Sequence, residues 1–408
     1  DVDDRPQRIA VMSDAQFVAA DPDSDAVEGA RRTLREIMAA EPDLLVINGD
    51  FVDEAAPEDF ELAQQILDEE WDTDIPYVYV PGNHEVMGGE ISNFEDAFGA
   101  PTTEQSLGRT QVITLNTASG SLAGGGLEQI EELERQLEGV AESDILTGAV
   151  VFFHHPPTDP LPSKLSQLTD QREARAIEAQ LAEFRRSSGK SAAVVNGHVG
   201  AFHGSAVEGV TYLINGNSGK SPAGTPATGG FTGWTMLGLS PGAGIVGESP
   251  TTADRVDWLA AETRPWVDEI TVQASEQLPV GGVGEASASI VQDGLEAPVA
   301  WPMTAQWGGA GVQIDAGTGL SAPQGEPGAR EYSAEQDGPG EQADSGAVLR
   351  LNPLTGEITG LRPGTATVQV TVNGRSAEQT VTVAGDGPGP DPGDPEEPGG
   401  PDDPGEPE

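Results

Sequence analysis

The 408 residues exceed one typical domain and carry 20 Lys+Arg against 68 Asp+Glu, a formal net charge of -48. A charge this negative repels phosphate backbones and anionic bilayers, which argues against a nucleic acid duplex or a membrane surface as partner. Cysteine is absent, which excludes disulfides, zinc–thiolate sites, iron–sulfur clusters and cysteine nucleophiles.

No basic segment followed by an apolar run opens the chain, and no run approaches the ~18 apolar residues of a membrane-spanning helix, so membrane insertion is not expected. The alternatives are a cytoplasmic protein or a mature form whose leader has been removed. From about residue 7 to 250, strand and helix patterns alternate. Short apolar runs read as buried strands at 8–13 (RIAVMS), 44–48 (LLVIN), 77–80 (YVYV), 112–115 (VITL), 149–153 (AVVFF), 192–196 (AAVVN) and 211–214 (TYLI). Between them, apolar residues three and four apart mark helix faces: Val27, Leu34 and Met38; Leu127, Ile130, Leu133 and Leu137; Ala174, Ile177, Leu181 and Phe184. Alternating strand–helix units predict an α/β domain over residues 1–262, its sheet buried between helices.

Near residue 265 the pattern changes. Residues 254–265 (DRVDWLAAETRP) read as a short joining helix, and 268–384 as a small all-β sandwich. Two alternating strands in 365–383 flank Asn373-Gly374, a type I′ hairpin signature because both central residues need positive φ. The segment 351–372 resembles the bacterial Ig-like (group 2) modules of surface proteins. Residues 385–408 contain only Gly, Pro, Asp and Glu. With nothing apolar to bury, this stretch reads as a disordered, extended acidic tail. Such tails are similar to wall-spanning stalks, so an extracellular or cell-surface location is expected, with cell-wall association through the stalk.

All five histidines fall just after predicted strands or in the loops that follow. The same strand ends carry acids and amides. The first ends in Ser13-Asp14-Ala15-Gln16, the second in Asn48-Gly49-Asp50-Phe51-Val52-Asp53, the third in Pro81-Gly82-Asn83-His84-Glu85. Later strands end in His154-His155-Pro156-Pro157 and Asn196-Gly197-His198-Val199-Gly200. In an α/β sheet, sites form at carboxyl strand ends. Carboxylate plus imidazole donors suit Mn²⁺, Fe²⁺ or Zn²⁺ rather than Ca²⁺ or Cu⁺.

This ordered set resembles the calcineurin-like metallophosphoesterase family, with its D-x-H, G-D-x-x-D, G-N-H-[DE], H-x-P and G-H-x-H pattern, over about residues 7–250. The resemblance implies a four-layer α/β/β/α sandwich and one or two divalent ions. Asp50 would bridge the ions. Asn83, His154 and His198 would complete one site. Asp14 belongs to the other, but Gln16 and Gly200 stand where the pattern has histidines. One site is thus expected intact and the other altered, with Gln16 offering a carbonyl oxygen and His203 a candidate replacement donor. The resemblance assigns catalysis to His84, held by Asp53, and makes Glu85 a supporting group. His155 occupies the pattern's variable position, either bystander or substrate contact. A divalent ion would neutralise phosphoryl charge and activate water against phosphorus.

Against these roles stand plain ones: strand-end caps, tight turns at Gly49, Gly82 and Gly197, a flexible connector at Gly124-Gly125-Gly126, and solvated acidic helix faces. The expected function is a secreted or surface phosphoesterase acting on a small-molecule or cell-wall phosphomonoester or phosphodiester. A surface binding or structural protein with a decayed centre is the alternative. A cytoplasmic protein phosphatase is a third reading, disfavoured by the Ig-like segment and the tail.

Overall fold

The computed structural model describes residues 6–71, 74–87, 90–240, 258–315 and 346–385. In chain order the first unit comprises β1 (Gln7–Met12), α1 (Asp25–Ala39), β2 (Leu44–Asn48), α2 (Pro57–Glu70), β3 (Tyr77–Val80), α3 (His84–Met87), α4 (Ser92–Phe98), β4 (Glu104–Leu107) and β5 (Thr110–Thr114). It continues through α5 (Gln129–Glu142), β6 (Gly148–Phe152), α6 (Gln171–Ser188), β7 (Ser191–Asn196), β8 (His203–Val207), β9 (Val210–Ile214), β10 (Gly233–Leu239) and β11 (Leu259–Pro265).

The strands form two sheets, ordered β11-β10-β1-β2-β3 and β4-β5-β6-β7-β9-β8. Their central pairs, β1 with β2, β2 with β3, β5 with β6 and β6 with β7, are parallel. Alternate residues of each strand point to opposite faces. Ile9, Val11, Leu44 and Val46 meet Val112, Val150, Phe152 and Val195 between the sheets. The other face of the first sheet, including Met12, Leu45 and Ile47, is covered by α1 and α2 through Leu34, Ile37, Phe60 and Ile66. On the second sheet, Val151 and Val194 are covered by α5 and α6 through Leu133, Leu137, Ile177 and Leu181. Helix, sheet, sheet, helix is the layer order that the pattern implies. Burial on both faces explains why the strands read as unbroken apolar runs.

Helix boundaries follow local chemistry. Ser24 accepts from the Val27 amide ahead of α1, and Asp170 from the Arg172 amide ahead of α6. Gly189, at φ 68°, ends α6 in the left-handed region. Leu127 lies outside the helix face assigned to it: it precedes α5 and is exposed. The joining helix read at 254–265 is corrected over its described part. Residues 259–265 form β11, which pairs antiparallel with β10 along its whole length. Pairing gives the edge of β10 backbone partners that a helix would not supply.

The second unit contains β12 (Glu269–Ala274), β13 (Gln277–Pro279), β14 (Val283–Gln292), β15 (Leu295–Pro298), β16 (Ala305–Gly308), β17 (Val312–Ile314), β18 (Leu349–Leu351), β19 (Glu357–Gly360), β20 (Gly364–Val372) and β21 (Arg375–Ala384). Its described residues form two sheets with a shared core that includes Leu278, Leu349, Ile358, Val368 and Val381. Asn373 and Gly374 both have positive φ, 44° and 77°, at the β20–β21 turn. This unit packs on the first through Phe202 and Phe231 against Val267, Ile290 and Val370. Gln292 seals the seam: its Nε2 donates to the Thr232 and Trp266 carbonyls (2.7 and 2.8 Å), and its Oε1 accepts from the Thr232 amide. No helix among the described residues is long and apolar enough to cross a membrane. Residues 386–408 of the acidic tail lie outside the described residues.

Candidate metal centre

Parallel strands deliver their carboxyl ends to one edge, and there the motif residues meet. Asp14 and Gln16 follow β1, Asp50 follows β2, Asn83 and His84 follow β3, His154 follows β6 and His198 follows β7. The loops lock to one another by backbone hydrogen bonds, Asp14 N to Gly49 O (3.0 Å) and Gln16 N to Asp50 O (3.1 Å). Asp14, Gln16, Asp50 and His198 all take positive φ, between 54° and 69°. Each such non-glycine residue stores roughly 1–3 kcal/mol of strain that the surrounding fold must hold. Glycine is needed at two neighbours. A Cβ on Gly49 would stand 2.3 Å from His154 Nδ1, and one on Gly82 2.3 Å from Asp50 Oδ1.

Ligand atoms of Asp50, His154 and His198 lie within 4.8 Å of one another. His154 is fully buried, and its Nδ1 lies 2.8 Å from the Asn48 carbonyl. That contact holds one ring hydrogen on Nδ1, so Nε2 is the nitrogen that would turn its lone pair to a metal once it gives up its own proton. Nε2 stands 3.0 Å from Asp50 Oδ2 without the alignment of a hydrogen bond. Asn83 Oδ1 is likewise buried without a partner among the described residues, as is Gln16 Oε1. Unpaired buried acceptors are costly unless a cation meets them, so the donor set fits a divalent ion. Residues that would hold it are Asp50, Asn83, His154 and His198.

Electrostatics agree. Burial drives Asp14 up to about 7, with the Asp50 charge adding to the shift. For Asp50 burial opposes ionisation, but His154 wins and holds it below the usual carboxylate range. Burial pulls His154 down, yet the Asp50 and Asp14 charges carry it up to about 10. His198 is held down to about 4 by burial and by His154. Several carboxylates and imidazoles sharing one pocket, with no lysine or arginine among them, call for a cation.

The altered half has its own geometry. Gln16 turns its amide inward, with Nε2 donating to Asp50 Oδ2 at 3.2 Å. Gly200 sits at φ 75°, where an added Cβ would approach Ala223 Cβ to 3.1 Å. His203 opens β8, its ring edge-on to Trp301 at 5.7 Å, and stands outside the Asp50–His154–His198 cluster. Asp14 borders that cluster, accepting the His198 amide on Oδ2 at 3.1 Å.

His84 is held by Asp53, mainly through the backbone. Nδ1 lies 2.7 Å from the Asp53 carbonyl and 3.2 Å from its Oδ1, while Nε2 faces Asp50 Oδ2 at 3.9 Å. Glu85 is fully buried. Its carboxylate accepts the amides of Asp50, Phe51, Val52 and Gly82 and the Tyr79 hydroxyl. It thereby ties the β2 loop to the β3 loop. One residue escaped sequence reading: Thr117, beyond β5, whose hydroxyl meets both the amide and the ring of His155.

Residues 7–201 match the family model of the calcineurin-like phosphoesterases. A Rhodococcus erythropolis protein named "Probable cyclic nucleotide phosphodiesterase" is 28% identical over 208 residues, 48% of this chain and 65% of that protein. The chain thus spans just under two thirds of the curated relative's length. Among solved structures, GAP50, the anchor in the inner membrane complex of Plasmodium, is 12% identical with a TM-score of 0.45, covering 64% of this chain and 84% of that one. Purple acid phosphatase PPD1 from yellow lupin (Lupinus luteus) seeds is 14% identical, also with a TM-score of 0.45, covering 64% and 52%.

Proposed function

We propose, because residues 7–201 match the family model of the calcineurin-like phosphoesterases, that this protein is a divalent-metal-dependent hydrolase of phosphate esters. The observation that carries the reading is the convergence of Asp50, His154 and His198 beside the buried Asn83 Oδ1, which has no partner among the described residues. A bound Mn²⁺, Fe²⁺ or Zn²⁺ supplies Lewis acidity to a phosphoryl oxygen and lowers the pKa of water. The chain's own groups do the rest. Asp50 anchors the centre from the end of β2. The Asn48 carbonyl fixes the His154 tautomer at Nδ1. The Asp53 carbonyl holds a hydrogen on Nδ1 of His84, and when the ring also carries a proton on Nε2 it gives that proton to the leaving oxygen and returns to the neutral imidazole.

The substrate is a phosphomonoester or phosphodiester of small-molecule or cell-wall origin. The centre keeps one full donor set and one altered by Gln16 and Gly200. In this reading residues 268–384 are an Ig-like module, and the module and the acidic tail support a location outside the cell or at its surface. Support comes from the two face-to-face β-sheets, the positive-φ Asn373-Gly374 hairpin and the tail composition.

The two departures, Gln16 and Gly200, favour a second reading, a surface binding protein on a decayed phosphoesterase scaffold. Metal analysis after incubation with Mn²⁺, Zn²⁺ or Fe²⁺, with hydrolysis of an aryl phosphate monoester and diester, separates the two. Bound ion with turnover supports the enzyme; neither ion nor turnover supports the scaffold. Asp50→Asn is expected to remove both metal and turnover while leaving the far-UV circular dichroism spectrum unchanged.

A further inference from the structure

We propose that Asn48 and Asn196 are positioning residues: through a closed circuit of hydrogen bonds they fix the register of the two sheets and so hold Asp50, His154 and His198 at ligand distance. The assignment deepens the phosphoesterase reading and rests on its metal centre. The chain sets the same short pattern at two strand ends. β2 runs out in Asn48-Gly49-Asp50 and β7 in Asn196-Gly197-His198. In each, the ligand follows two residues after the asparagine and takes positive φ, 54° at Asp50 and 69° at His198. Both asparagines are buried.

The bonds run in one direction round three strands. Asn48 Nδ2 donates to the Val195 carbonyl in β7 at 3.0 Å. Asn196 Nδ2 donates to the Phe153 carbonyl, just past β6, at 2.8 Å. His154 Nδ1 returns the circuit to the Asn48 carbonyl at 2.8 Å. Every acceptor is a backbone carbonyl, so the amide NH₂ ends and the ring nitrogen are the donors. The first and third bonds cross between the sheets, because β2 lies in one and β6 and β7 in the other. The glycines of the pattern make room for the third bond. A Cβ on Gly197 would stand 3.0 Å from the Asn48 oxygen and 3.1 Å from His154 Nδ1, the same nitrogen that a Cβ on Gly49 would strike. Between the sheets the core is apolar, with Val46 and Val80 facing Val150 and Val195. Apolar burial is non-directional: it presses two layers together without setting how far one slides along the other. Directional bonds beside the ligands supply that register. They come with a penalty. Asn48 Oδ1 and Asn196 Oδ1 are buried with no partner among the described residues. An apolar side chain would avoid it, so the donors are what these two positions require.

The test loads the full chain with Mn²⁺ or Co²⁺ and reads affinity by calorimetry and the Co²⁺ visible spectrum, which reports coordination geometry. Asn48→Ala and Asn196→Ala should each weaken Mn²⁺ binding about tenfold and shift the Co²⁺ bands. Either change opens the same circuit, so the double variant should lose little more than one of them. Leu181→Ala, on the buried face of α6, is the control for simple destabilisation: it should lower the melting temperature and leave affinity and spectrum alone. If one asparagine variant fails to fold, the other decides. Unchanged affinity and spectrum overturn the proposal, as do losses that simply add, or an equal effect of Leu181→Ala. A wild type that takes up neither ion overturns both the circuit's role and the metal centre. Metal uptake that depends on the asparagines without any aryl ester turnover sinks the hydrolase reading alone. Turnover by the wild type with metal affinity indifferent to both asparagines sinks the positioning role alone.

Discussion

Single residues at this centre serve two ends, holding charge and holding loops. Glu85 is the clearest case, since its carboxylate closes four amides and the Tyr79 hydroxyl inside the protein. In Glu85→Gln one oxygen becomes an NH₂ facing those donors. The expected loss is about 3 kcal/mol of unfolding free energy, read by urea denaturation. Gly200 sets a different limit. Its φ of 75° and the 3.1 Å approach to Ala223 mean that Gly200→His strains the loop instead of rebuilding a ligand. That substitution is expected to lower the melting temperature and to leave metal stoichiometry unchanged. The strand-end residues of the site were legible in the sequence, because each motif is a short run next to an apolar strand. The partners of Glu85 and Thr117 were not. Glu85 lies 35 residues from the Asp50 amide it holds, and Thr117 lies 38 from His155, so only folding introduces them.

Helices and strands differ in how openly they announce themselves. The doubly buried parallel strands stood out as unbroken apolar runs. β4 and β8 did not, since both are edge strands with largely exposed residues. β10, with glycines at 233 and 238, lacks a clean run, although Trp234, Met236 and Leu237 are buried. Helix α2 also went unread, despite Pro57 at its first turn and Phe60, Ala63, Ile66 and Leu67 on its buried side. Outside the core, α2 is joined to α1 by Glu70, which meets Arg31 at 3.0 Å and Arg35 at 2.8 Å. The Arg35 hydrogen bond leads the effects that hold the Glu70 carboxyl below its usual range. A lowered folded value stabilises above the unfolded pKa, and that stability disappears as pH falls through the folded one. Glu70→Gln should therefore melt earlier at neutral pH, by no more than about 1 kcal/mol given the exposure of Arg35. The gap should close in acid, as followed by thermal melts across pH.

At the scale of the molecule, the two units meet through an apolar seam that polar residues close. Gln292 makes three hydrogen bonds across or beside it, Trp266 Nε1 donates to Thr33 Oγ1 at 3.1 Å, and Asn373 Nδ2 donates to Glu36 Oε2 at 2.8 Å. Gln292→Leu strands the buried Thr232 amide and the Trp266 carbonyl, while the Thr232 carbonyl keeps the Trp266 amide. Faster hydrogen exchange at Thr232 and Trp266, with the strand cores unchanged, is the expected readout. The centre itself draws Asp50 and Asn83 from one sheet and His154 and His198 from the other. A cation seated there is thus also a rivet driven through both layers. Pulling it out with a chelator would unfasten the sandwich at this rim, while the opposite rim, where Trp258 packs by Gly148 at the start of β6, stays shut.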